Sequence, residues 1–132
     1  MKQILIELEQ AAQGLFYRSE TDAPFEAVDF GAQEKASFSS AQLLRRLELP
    51  ATTPVDTQEL SFFFRNMTKV WPEMREERRQ EALKFQQLER LLLQSLHHLQ
   101  VYRVGKIRLT AYLLGWDTEG QLVGLKTTLV ET

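Results

Sequence analysis

From Val101 to Trp116 apolar and polar residues alternate, with Ile107, Leu109, Ala111 and Leu113 on one side. Lys106, Arg108, Thr110 and Tyr112 fall on the other side, the period-2 pattern of a strand. Asp117-Thr118-Glu119-Gly120 supplies turn residues, and Gly120 is free to take a positive φ. Leu122 to Glu131 alternates again, with Val123, Leu125 and Leu129 pointing one way. These stretches predict a long antiparallel hairpin whose open end carries the last residue, Thr132, and its carboxylate.

Upstream the spacing changes. Ile4, Leu8, Ala11, Ala12 and Leu15 share a helical face, and Gly14 marks a stop. Phe16 to Glu20 leads into a loop or turn at Thr21-Asp22-Ala23-Pro24. Phe25 to Phe30 alternates as a strand, with Pro24 suited to its entrance because proline lacks an N–H. Gly31 to Phe38 is polar and predicts a loop. Ser39 with Gln42 resembles a capping box ahead of a short helix through Leu43, Leu44 and Leu47, which Pro50 ends. Ala51 to Val55 is a linker. Asp56 with Glu59 predicts a second capped helix, striped by Leu60, Phe63, Phe64 and Met67. Pro72 and Glu73 suit the start of the longest helix, whose core face runs Phe85, Leu88, Leu92, Leu96 and Leu99. Helices before and between strands, with a terminal hairpin, predict an α+β domain spanning 1–132 with helices covering a sheet.

Composition narrows the chemistry. The 132 residues are 43% hydrophobic and 26% charged, values ordinary for a globular chain. No cysteine is present, which excludes disulfides, thiolate zinc sites and cysteine nucleophiles. Sixteen basic against eighteen acidic residues, net charge −2, lack the basic excess of a nucleic-acid binder. Glu7 interrupts the N-terminal stretch where a signal peptide needs an apolar run, and no stretch reaches the ~18 apolar residues of a membrane span. The expected compartment is the cytoplasm.

Candidate catalytic groups are few. His97 and His98 are adjacent, so on the long helix they point about 100° apart rather than at one metal. Glu73 to Glu81 interleaves both signs, the mark of a solvated face rather than a phosphate site. The glycines 105, 115, 120 and 124 form no phosphate loop and read as bulges or places of close approach. Of Phe62, Phe63 and Phe64 at least one must turn outward on a helix; core packing is the default reading, and an exposed one beside Trp71 would suit a partner surface. Trp71, in a loop before Pro72, reads equally as core or as an interface residue. Glu20 and Thr132, each considered alone, read as a solvated loop residue and a frayed end. No catalytic set is visible, and an enzyme is the weakest of the functional readings.

Two stretches resemble the nuclease A inhibitors of bacteria. They are Gly14-Leu15-Phe16-Tyr17-Arg18-Ser19-Glu20, continuing through Pro24-Phe25-Glu26, and Val101-Tyr102-Arg103-Val104-Gly105, continuing to Val130-Glu131-Thr132. Lys84-Phe85-Gln86 is similar to the corresponding helix of that family. The resemblance implies a three-layer α-β-α sandwich with a mainly antiparallel sheet, related in architecture to plant pathogenesis-related proteins. It implies an inhibitor, not an enzyme and without a cofactor, that plugs the active site of a magnesium-dependent, sugar-non-specific DNA/RNA endonuclease. Under it Glu20, Trp71 and Thr132 are the contacts to the nuclease, with Ser19 and Glu131 as possible additional ones. It implies no metal of the chain's own, although Thr132 reaches toward the partner's magnesium, where oxygen ligands displace exchangeable waters. The aspartate that precedes the tryptophan in the family is Val70 here. That departure motivates an alternative, a protein-binding module of the same fold whose partner is not a nuclease.

Overall fold

The computed structural model describes residues 2–131. Its elements are α1 (Gln3–Ala12), β1 (Phe16–Arg18), β2 (Asp22–Pro24), β3 (Glu26–Ala32), α2 (Ser40–Arg46) and β4 (Val55–Gln58), then α3 (Leu60–Phe63), α4 (Glu76–Ser95), β5 (His97–Gly105), β6 (Arg108–Trp116) and β7 (Gln121–Val130). The expected mixture of helices and mainly antiparallel strands is observed: five strands form one sheet in the order β3-β7-β6-β5-β4, with every pairing antiparallel. β1 and β2 form a separate two-stranded hairpin where the sequence predicts only a loop.

Both faces of the sheet are buried. On one face Leu109, Ala111, Leu113, Val123, Leu125 and Leu129 join Leu5 and Leu8 of α1, Phe63 of α3, and Phe85, Leu88 and Leu92 of α4. On the other, Tyr102, Tyr112, Leu114, Trp116 and Leu122 pack with Leu43 and Leu44 of α2. Each fully buried large side chain contributes roughly 1.5–3 kcal/mol. Tyr112 therefore lies in a second core rather than on a polar face, and the indole N–H of Trp116 donates to the Gln33 carbonyl at 2.9 Å.

The terminal unit is a three-stranded meander, not a single hairpin. The chain reverses at Gly105-Lys106-Ile107, so Ile107 leaves the core side and is 58% exposed. The second reversal is as expected: Asp117 Oδ1 accepts from the N–H groups of Glu119 and Gln121 at 2.8 and 3.0 Å, and Gly120 takes φ +77°. Gly124 marks a close approach of strands. A Cβ there would lie 1.7 Å from the Leu113 carbonyl oxygen.

Four local expectations change. Asp56 does not cap a helix; it lies on β4, paired opposite Arg103 of β5, and α3 starts at Leu60 with no side-chain cap. Val55 and Thr57 are β-branched, and the ladder to β5 decides the conformation. Pro72 precedes α4 instead of opening it: the Met74 N–H donates to the Trp71 carbonyl at 3.1 Å, so proline sits second in a turn whose φ it presets. α4 ends at Ser95, and His97 and His98 stand on β5, His98 at φ +54° beside an irregularity in the β5–β6 register. Leu96 and Leu99 fit the helical spacing because the strand returns to the same core. The strand of 25–30 is Glu26–Ala32, reaching into the predicted loop.

Candidate functional site

Tyr17 anchors the short hairpin β1–β2. Its ring stacks on Phe63 at 4.3 Å between centroids, and its hydroxyl donates to the Phe63 carbonyl at 3.3 Å. The turn Ser19-Glu20-Thr21 is closed on itself. The Ser19 N–H and hydroxyl each donate to the Thr21 carbonyl at 2.9 Å, and the Thr21 N–H donates back to Ser19 Oγ at 3.3 Å.

This turn is stitched to the end of β7. The Val130 N–H donates to Ser19 Oγ at 3.0 Å, and the Glu20 N–H donates to the Val130 carbonyl at 3.2 Å. Ser19, Glu20 and Glu131 line one shallow depression of about 360 Å³ with Tyr17, Arg18 and Arg65. The structure thus brings three of the five sequence-predicted contact residues together. Thr132 lies outside the described residues.

Trp71 does not line this depression. It sits on the connection between α3 and α4, half exposed at 46%, beside the exposed Val70. That exposure counts against the core reading. The beginning of that connection borders the site through Arg65 and Asn66. Among the three consecutive phenylalanines Phe62 turns outward, 50% exposed, with the Arg65 guanidinium 3.8 Å over its ring, while Phe63 and Phe64 are buried.

Arg103 is the residue that sequence reasoning passed over. It lies within the stretch that carries the family resemblance, but its partners are remote in the chain. Nη1 donates to Asp56 Oδ2 at 3.0 Å, and Nη2 is paired with the Glu131 carboxylate. Burial opposes its charge, but the bonds to Glu131 and Asp56 outweigh it and raise its proton affinity above the ordinary arginine value. Burial also pushes the Tyr17 hydroxyl up, against the nearby positive charges of Arg103 and Arg65. Asp56 with Glu59 three positions on, read as a capped helix start, gave no sign of this pairing.

The charged run before and within α4 is largely a solvated face, as expected, with Arg79 and Glu76 3.7 Å apart; Glu81 is taken by Arg18 of β1 at 2.9 Å. His98 meets Trp116 edge-on at 6.4 Å. Among the described residues no three His, Asp or Glu side chains converge where they could hold a metal, and no helix is long and apolar enough to cross a membrane.

The family model for nuclease A inhibitor-like proteins matches residues 2–132, and the chain belongs to that family. Comparison with curated proteins returns no match.

Proposed function

We propose that this chain is one domain over 1–132, a three-layer α-β-α sandwich of the plant pathogenesis-related type, that inhibits a magnesium-dependent, sugar-non-specific bacterial endonuclease by occupying its active site. Family membership supports a nuclease as the partner. The observation that carries the site assignment is the pair of bonds joining the Ser19-Glu20 turn to Val130. They put Glu20 beside the strand that leads to Thr132, as a two-pronged plug requires.

In this reading Glu20 imitates substrate charge and pairs with the arginine or lysine that grips the phosphate. Thr132 offers oxygen to the partner's magnesium in place of a scissile phosphate oxygen. Ser19 and Glu131 hold the two prongs, and Trp71 adds an aromatic contact from the neighbouring connection. A site tied to sheet and hairpin loses little ordering entropy on binding. The protein itself is not an enzyme, contacts neither nucleic acid nor membrane, and acts in the cytoplasm.

The test is cleavage of DNA by such an endonuclease with increasing inhibitor, using Glu20→Ala and a chain lacking Thr132. Both variants should stay folded and inhibit weakly. One observation favours a second reading, in which the same surface binds a non-nuclease protein: Val70 exposes an apolar side chain where the family carries aspartate. Recovery of a non-nuclease partner, and no nuclease, on the native protein in cell extract supports that reading.

A further inference from the structure

Glu131 is held from two directions. Its N–H donates to the Ile107 carbonyl at 2.8 Å, at the exposed β5–β6 reversal, and its carboxylate is paired with Arg103. The Arg103 side chain is only 13% exposed, and its other nitrogen is fixed by Asp56 of the edge strand β4. A guanidinium is a planar fork, so two carboxylates on two of its nitrogens fix its plane and each other's direction. One residue upstream, Val130 is fixed by Ser19 and Glu20. The bracing therefore extends through the last described residue, beyond where β7 itself ends.

We propose that Arg103 is a positioning residue: clamped by Asp56, it pre-organises Glu131 and so supports inhibition through the residue that follows in the chain, Thr132. This rests on the inhibitor reading above. Its stabilising role is secondary, because Asp56 and Glu131 are both largely exposed and ion pairs to exposed carboxylates contribute little to folding. What the clamp changes is the entropy of the binding segment before the partner arrives. Releasing a side-chain-rich residue that must be re-ordered on binding weakens affinity by about three- to tenfold.

The experiment has two readouts on the full chain. The first is backbone ¹⁵N relaxation and amide exchange at Glu131 in the free protein, for wild type, Arg103→Met and Arg103→Lys. Arg103→Met should mobilise Glu131 while Leu113 and Leu125 stay as protected as in wild type, and Arg103→Lys, which keeps the charge without the planar fork, should restore only part of the order. The second is inhibition of the endonuclease by Arg103→Met, with and without Thr132. Affinity should fall about three- to tenfold with Thr132 present and should not fall further when Thr132 is already absent. An equally ordered Glu131 in Arg103→Met overturns the clamp. An equal loss of affinity with and without Thr132 overturns the delivery role, because Arg103 then acts elsewhere. If removing Thr132 from wild type leaves inhibition unchanged, the inhibitor contact set fails, and the delivery role fails with it. The order at Glu131 still reports separately on the clamp.

Discussion

The backbone N–H of Glu20 donates to the carbonyl of Val130 at 3.2 Å, joining residues 110 positions apart in the chain. Ser19 completes the joint by accepting the Val130 N–H through its hydroxyl. The hairpin turn and the sheet end thus form one surface, and the proposed function depends on its rigidity.

Ser19→Ala removes an acceptor from Val130 and a donor from the Thr21 carbonyl. Folding stability should fall by about 1 kcal/mol, the net worth of an ordinary hydrogen bond. Amide exchange at Val130 should rise much more than at Leu125. Equal protection at both positions would show that the joint does not depend on the serine.

Trp71 is half exposed, so Trp71→Ala should shift stability by no more than about 0.5 kcal/mol. If Trp71 anchors the partner, affinity for the nuclease should fall by 2 kcal/mol or more, about thirtyfold. A titration showing equal affinity removes Trp71 from the contact set.

Gly124→Ala pushes a methyl into the Leu113 carbonyl of the neighbouring strand, 1.7 Å away. The backbone on both strands must move, and the cost should be about 3 kcal/mol or more. Thermal denaturation measures it, and a melting temperature within 2–3 °C of wild type would refute the tight approach.

The ion pair of Lys2 with Asp117, at 2.6 Å, gives a pH dependence of known sign. Burial pushes the Asp117 carboxyl up, but its bonds to Lys2, Gln121 and Glu119 outweigh burial and hold it below the ordinary 3.8. The bond to Asp117 raises Lys2 above 10.5, against partial desolvation. The stabilisation is therefore complete above pH 3.8 for the carboxyl and below 10.5 for the amine. It is lost as pH falls through the lowered carboxyl value or rises through the raised amine value. Urea midpoints of wild type and Asp117→Asn should differ at neutral pH and converge below 3.8. A constant difference down to pH 2 would contradict the shift.

Periodicity made the helices and the main strands legible, because burial repeats every two or every 3.6 residues regardless of partner. The Asp117–Gly120 turn was legible for the same local reason. Asp56 was not: its conformation is decided by β5, some forty residues on, and an Asp followed three residues later by Glu, ahead of an apolar stripe, looks like a capped helix start. The end of α4 was hidden because no Gly or Pro stops it and Leu96 and Leu99 remain in the core. In the site, each residue type was visible but the adjacency of Ser19-Glu20 to Val130 was not, since it arises from long-range pairing. Arg103 escaped notice for that reason too: a single arginine on a strand carries no pattern that names Asp56 and Glu131.

The most direct measurement is a stoichiometric titration of a magnesium-dependent, sugar-non-specific endonuclease on DNA, with wild type, Glu20→Ala and the chain lacking Thr132. The account predicts that wild type abolishes cleavage at equimolar amounts. Each variant should lose affinity by about ten- to a hundredfold, as expected for removing a charge-assisted contact, with its melting temperature unchanged. Undiminished cleavage at large excess of wild type, or full inhibition by both variants, would contradict it.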